Sequence, residues 1–370
     1  MHVSTARRRQ LATGLALVAV LTTIACGGGT LASNRGPAAP SEPPAAGGNT
    51  SSGGGGSANS AASPAAAAIQ ARSAYTTISA AATPWWIAVD GGYFREQGLD
   101  VDLVHIDAGA PLLAALSNGE LDITFAGGPS LVLGALQGFE TMTIGSTSNM
   151  LDDSVFGRNG IQTVDDLRGG TVGVTNLKAI TDVAARLGLK RLGLEAEVDY
   201  FPRRTGGLAE SLAGIENGSL DAASINVPAT FEARKRGFRE LVDVTAMQIP
   251  FYSSGVGATK KKLAERPDLP ERYLRALAQS VARLKTDRDY TVQTMARYTQ
   301  MSDLDLLGAT VDVYRPLYTT DPYPERAAVQ ATLDVEENPA ARTARPEDVV
   351  EFRYADALRA SGFLDTLPKQ

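Results

Sequence analysis

The chain repeats itself. Leu113-Ala114-Ala115-Leu116-Ser117-Asn118-Gly119-Glu120-Leu121-Asp122 returns 99 residues later as Leu212-Ala213-Gly214-Ile215-Glu216-Asn217-Gly218-Ser219-Leu220-Asp221. The same offset pairs Pro129 with Pro228, Gly138 with Gly237 and Phe139 with Phe238. One folding unit is therefore used twice. Each copy reads alike. Leu112, Leu113 and Leu116 share a helix face, and Asn118-Gly119 stops the helix because glycine accepts a positive φ. A short strand follows, over 122–126 in one copy and 221–225 in the other. Pro129 or Pro228 then opens a new helix, where a missing N–H does no harm. The Asn-Gly and Asp pairs read as structural, not catalytic.

Further strands are predicted over 75–79, 101–106, 141–146, 171–174 and 198–201. Between them lies a helix over 176–187, with Leu177, Ile180, Val183, Ala184 and Leu187 at helical spacing. Strand–helix alternation means an α/β fold with mainly parallel sheets flanked by helices. The repeat makes it two-lobed. We read 69–147 and 248–370 as lobe I with its C-terminal helices, and 148–247 as lobe II. The chain crosses between them as a two-strand hinge near 146–149 and 245–252. Beyond that the pattern is helical, over 270–286, 290–298, 303–315, 325–336 and 346–360. The third of these should stop at Arg315, because Pro316 disfavours helix in the residue before it.

The first 25 residues read as a secretory signal. Arg7-Arg8-Arg9 precede an apolar run from Leu11 to Ile24 that is shorter than the roughly 20 residues a membrane span needs. Arg8-Arg9-Gln10-Leu11 also has some twin-arginine character. The single cysteine, Cys26, follows Thr23-Ile24-Ala25, which resembles a bacterial lipobox with Thr23 in place of the usual Leu. Cys26 is thus the expected lipidation site, and the membrane is met through that lipid. Residues 27–68 are almost all Gly, Ser, Ala, Pro, Thr and Asn, which cannot repay the entropy of ordering. Residues 26–68 form a tether whose coil reach is about 35 Å, from ~5–6 Å × √n.

With 35 Lys+Arg against 41 Asp+Glu the net charge is −6. This excludes a general nucleic-acid binder, which needs a basic footprint. One cysteine permits no intramolecular disulfide, and two histidines, His2 and His105, cannot build a Cys/His metal site. No cofactor is expected. There is no H-E-x-x-H, no G-x-S-x-G and no phosphate-cradling glycine loop, so no enzyme is read here.

Thr83-Pro84-Trp85-Trp86-Ile87-Ala88-Val89-Asp90-Gly91-Gly92-Tyr93-Phe94, followed by Gly98-Leu99-Asp100-Val101, resembles the opening of type II periplasmic binding proteins. The resemblance is to the group that binds nitrate, sulfonates, taurine and thiamine precursors. Asn118 to Asp122, Thr163 to Val174 and Pro267 to Leu274 fit the same group, so the likeness spans roughly residues 73–365. It implies an extracytoplasmic solute receptor of an ABC importer. Such a receptor is monomeric, closes its lobes on a ligand and delivers that ligand to a permease. The group includes a pyrimidine-forming enzyme branch that depends on a Cys-rich motif, and the folded region here has no Cys.

Ligands on open α/β sheets sit outside the carboxyl ends of the strands, where helix N-termini present free N–H groups. By that rule lobe I supplies Thr83, Trp85, Trp86, Asp107, Gly109, Gly128 and Ser130, and the hinge supplies Thr147. Lobe II supplies Asn176, Lys178, Arg204, Thr205 and Asn226, and the return strand supplies Tyr252. Adjacent tryptophans at a helix start point about 100° apart, so one of them packs inside; Trp85 is taken as the ligand-facing ring. Lys178 and Arg204 would suit a sulfonate or carboxylate, or be solvated surface charge. Asp107 would favour an N–H donor, or cap the helix at Pro111. The expected solute is a small organic anion, with a thiamine-precursor pyrimidine, flavin or related heterocycle as the alternative. A ligand-sensing or adhesive lipoprotein of the same fold is the further alternative.

Overall fold

The computed structural model describes residues 68–106 and 109–369. The signal segment, Cys26, the tether up to position 67 and Asp107 lie outside the described residues. Ten strands are described: β1 Ile69–Tyr75, β2 Leu99–His105, β3 Ile123–Gly127, β4 Thr141–Met150, β5 Asp153–Gly157, β6 Thr171–Val174, β7 Phe201–Arg204, β8 Ala222–Asn226, β9 Arg239–Asp243 and β10 Pro250–Thr259. They form two five-stranded sheets, ordered β2-β1-β3-β10-β4 and β7-β6-β8-β5-β9. Each has a parallel core with one reversed strand: β10 is antiparallel to β3 and β4, and β5 to β8 and β9. Helices flank both sheets, which is the two-lobed α/β class expected.

The repeat has a physical cause. The Asp122 carboxylate accepts the Arg72 amide at 2.8 Å, while the Asp122 amide donates to the Arg72 carbonyl at 2.9 Å. The Asp221 carboxylate accepts the Thr171 amide at 2.8 Å, and its own amide donates to the Thr171 carbonyl at 2.9 Å. Positions 72 and 171 are also 99 apart, so each aspartate clamps the entry of its strand onto the neighbouring one. Gly119 and Gly218 sit at φ +78° and +77°, as the helix stops require.

Several boundaries differ from the sequence expectation. The first strand covers Ile69–Tyr75 and not 75–79, because its pairing with β2 runs from Ile69↔Leu99 to Tyr75↔His105 and ends there. The strand expected over 198–201 forms over Phe201–Arg204, where β6 offers partners from Thr171 onward. The helix expected from 176 begins at Ile180. Before it the Thr175 amide is held by Thr181 Oγ1, and Lys178 takes φ +68°. The last expected helix breaks into Pro346–Val349 and Arg353–Ala360, because Val350 bridges to Thr143 of β4. Strands β5 and β9 add to the sheet expected for lobe II, pairing antiparallel with each other.

Lobe I owes its larger core to the C-terminal helices. The amphipathic helix Leu269–Thr286 packs on the helix Thr83–Asp90, with Tyr273 bonded to Trp85, and turns Leu274 toward Gly145 of β4. Removing either clamp should cost about 2 kcal/mol, the order of a hydrogen bond to a charged group. For a domain of this size, Asp122→Ala and Asp221→Ala should each lower Tm by roughly 4 °C. The Asn variants, which keep one acceptor, should lose about half as much. Thermal unfolding followed by circular dichroism checks this.

Candidate functional site

The two sheets face each other across a cleft. Its inner part is a cavity of about 550 Å³, and an adjoining part measures about 490 Å³. Gly127, Ser130, Ile180, Leu208 and Asn226 line both. Their positions follow from topology. Gly127 ends β3 and Asn226 ends β8, while Ile180 and Leu208 are the first residues of the helices Ile180–Arg191 and Leu208–Glu216. Strand carboxyl ends and helix starts therefore converge, as an α/β sheet dictates.

Of the expected residues, Ser130 and Asn226 line the cavity, and Lys178 lines the outer part. Gly128 allows the close approach its sequence suggested: a Cβ there would fall 1.8 Å from the Tyr252 carbonyl oxygen. Gly109 packs against Ser130, where an added Cβ would meet its Oγ at 3.1 Å.

Others lie elsewhere. Trp85 and Trp86 are both fully buried, and neither lines either part of the cleft. Trp85 stacks on Phe125 at 3.8 Å and donates through Nε1 to the Tyr273 hydroxyl at 3.0 Å. Because Phe125 does line the cavity, Trp85 is the layer behind the wall. Trp86 stacks on Tyr298. Thr83 and Thr147 are buried. Tyr252 is also buried, and its hydroxyl donates to the Gly145 carbonyl at 3.0 Å. On lobe II, Arg204 is exposed and donates to Asn176 Oδ1 at 2.6 Å, away from the cavity. Thr205 is hydrogen-bonded to Val174 and Ser211 and braces the helix start. Lys178 is ion-paired with Glu337 at the cleft's outer edge.

The sequence reading missed the acid and the rings. Asp152 lines the inner cavity between Phe125 and the tyrosines Tyr314 and Tyr318. Tyr314 hydrogen-bonds Asp152, and the Tyr318 hydroxyl donates to the Ala80 carbonyl. The available signals were the Asp152-Asp153 pair directly after a hinge strand and two tyrosines four apart flanking Pro316. Burial pushes the Asp152 carboxyl above its ordinary range, against the Tyr314 hydrogen bond that pulls it down. Its neighbour Asp153 is fully buried with neither carboxyl oxygen hydrogen-bonded. Burial, then the adjacent Asp152 charge, drives Asp153 well above the carboxylate range. Among the described residues no cluster of three His, Cys, Asp or Glu could hold a metal.

Residues 79–289 match the family model described as NMT1/THI5 like. No curated protein matches the chain. Solved structures share the fold at low identity. The periplasmic aliphatic sulphonate binding protein SsuA from Escherichia coli is 19% identical, with a TM-score of 0.60, over 77% of this chain and 91% of that one. The alkanesulfonate-binding protein SsuA from Xanthomonas axonopodis pv. citri, bound to MOPS, is 20% identical with a TM-score of 0.59, over 77% and 97%. The periplasmic sulfonate-binding protein SsuA from Methylobacillus flagellatus is 15% identical with a TM-score of 0.66, over 82% and 98%.

Asp153 supplies a prediction. A carboxyl raised in the fold binds more protons folded than unfolded, so stability drains as pH climbs above the unfolded value of ~3.9. Asp153→Asn removes that loss. Its Tm advantage over the parent protein should widen between pH 4 and pH 7; a difference constant with pH would show that Asp153 ionises freely in the fold.

Proposed function

The chain belongs to the NMT1/THI5-like family, and on that premise we propose that it is the solute-binding component of an ABC importer. It captures a small molecule between its lobes without chemistry and hands it to a membrane permease. It leaves the cytoplasm on its N-terminal signal and is held to the membrane by a lipid on Cys26, so the tether lets the lobes stand off the surface. The observation that carries the reading is the cleft. Residues of both lobes line one cavity of about 550 Å³, within the usual range for small-molecule sites. A cleft filled by side chains would have favoured adhesion instead.

The lining favours a ring-bearing solute over the sulfonates for which the solved neighbours are named. Phe125, Tyr314 and Tyr318 supply aromatic wall. Of the two cations that would have anchored an anion, Lys178 is ion-paired with Glu337 at the cleft's outer edge, and Arg204 lies outside the cavity with Asn176 as its hydrogen-bond partner. A heterocycle therefore fits better than an organic anion.

The test is gentle purification of the full chain, denaturation, and mass spectrometry for a released small molecule. The released compound is then added back in thermal-shift and small-angle scattering measurements. At 100 times its Kd it should stabilise by about 2.7 kcal/mol, and closure should shrink the radius of gyration. Arg204→Ala should leave its affinity unchanged within about two-fold, since the side chain lies outside the cavity. Finding no released molecule, and no shift with a broad solute panel, would overturn the proposal.

A further inference from the structure

The inner cavity has one charged wall. Among the described residues that line it, Asp152 is the only ionisable side chain besides the two tyrosines, and none is Lys, Arg or His. Lys285, on the helix beneath, donates to the Arg315 and Tyr318 carbonyls and does not line the cavity. The helix starts of lobe II do not call for an anion, because acids already stand in their first turns. Asp182, fully buried, accepts the Lys178 amide at 2.7 Å, and Glu210 occupies the first turn of the next helix. Directly behind Asp152 lies the second carboxyl, Asp153, whose oxygens have no partner and whose backbone is in register with cavity-lining Asn226.

The Asp152 carboxylate at an apolar wall is costly unless something positive meets it, and the buried, unpartnered Asp153 beside it supplies no positive charge. The surrounding surface supplies what a desolvated cation prefers: Phe125, Tyr314 and Tyr318 present π-faces or edges to the same space, with Tyr314 and Tyr318 ring centroids 6.2 Å apart. Resting on the solute-binding reading above, we infer that the solute carries a positively charged nitrogen, an ammonium, amidinium or protonated ring amine, held by Asp152 against these rings. Ser130 and Asn226, from opposite lobes, complete the polar contacts and sense closure.

The experiment sets ligand charge against shape. The full chain, freed of any co-purified molecule by unfolding and refolding, is titrated with benzylamine and benzamidine, with their neutral analogues benzyl alcohol and benzamide, and with benzoate and benzenesulfonate. Thermal shift and calorimetry are read for the parent and for Asp152→Asn. The expected result is stabilisation by the cations alone, with affinity lost by roughly ten-fold or more in Asp152→Asn. Stabilisation by the anions, equal binding of charged and neutral partners, or silence from all six compounds would overturn the assignment. The charge comparison within the parent protein needs no variant, so it stands even if Asp152→Asn fails to fold. Failure here is separable from failure of the solute-binding reading, because the released molecule is identified independently. A released anion that stabilises on return keeps that reading and ends this one.

Discussion

The structure depends on the antiparallel pairing of β4 with β10. These strands belong to the first sheet, yet one leads into β5 through only Leu151 and Asp152, and the other carries the chain back from β9. The ladder is not regular: the register shifts between Pro250 and Ser254, between Ser254 and Gly255, and between Val256 and Gly257. Such shifts leave carbonyls without ladder partners, and serines take them up. Ser146 Oγ donates to the Ser148 and Ser254 carbonyls, each at 2.9 Å, and Ser253 Oγ donates to the Met150 carbonyl at 2.7 Å. Side-chain room is scarce here. A Cβ at Gly255 would fall 2.0 Å from the Tyr252 hydroxyl, and one at Gly145 would fall 2.4 Å from Leu274. The crossing is thus tightly packed around Gly145 and Gly255 and irregular in its ladder.

That same crossing builds the floor of the cleft. Ser148, Ser253 and Ser254 line the cavity because the irregular ladder turns them toward it, and Asp152 lines it because the chain must turn between β4 and β5. The aromatic wall comes from far away in sequence. Tyr314 closes the helix Leu304–Tyr314, and Tyr318 follows Pro316. Both reach the cleft because the C-terminal helices pack onto lobe I with Trp85, Tyr273 and Leu274 between them. Trp85 therefore backs Phe125 and itself lines neither part of the cleft.

Much of this was legible from local chemistry. The 99-residue repeat, the Gly119 and Gly218 stops, the strand 171–174 and the long amphipathic helix ending at Thr286 need only short-range pattern, and they stand where the pattern put them. So does the general location of the cleft, because strand ends and helix starts must meet there in any sheet of this kind. Orientation was not legible. Two adjacent tryptophans at a helix start look like a ligand platform, but both found ring partners, Phe125 and Tyr298, from elements 40 and more than 200 residues away. Lys178 and Arg204 sit near the helix starts as expected, yet each met a neighbour, Glu337 or Asn176, that no local rule could name.

The sequence by itself determined the two-lobed α/β class, the duplicated helix stops at Gly119 and Gly218, and the absence of Cys and of a second histidine from the folded part. Each of these is a matter of periodicity, backbone conformation or residue count, which act over a few positions or over none. Tertiary structure alone decided which charges remain for the cleft. A charge is spent or left over according to what packs beside it. Here the packing pairs Lys178 with Glu337, sets Arg204 outside the cavity against Asn176 and places Asp152 beside rings from β3 and the C-terminal helices, because burial and pairing depend on neighbours distant in sequence.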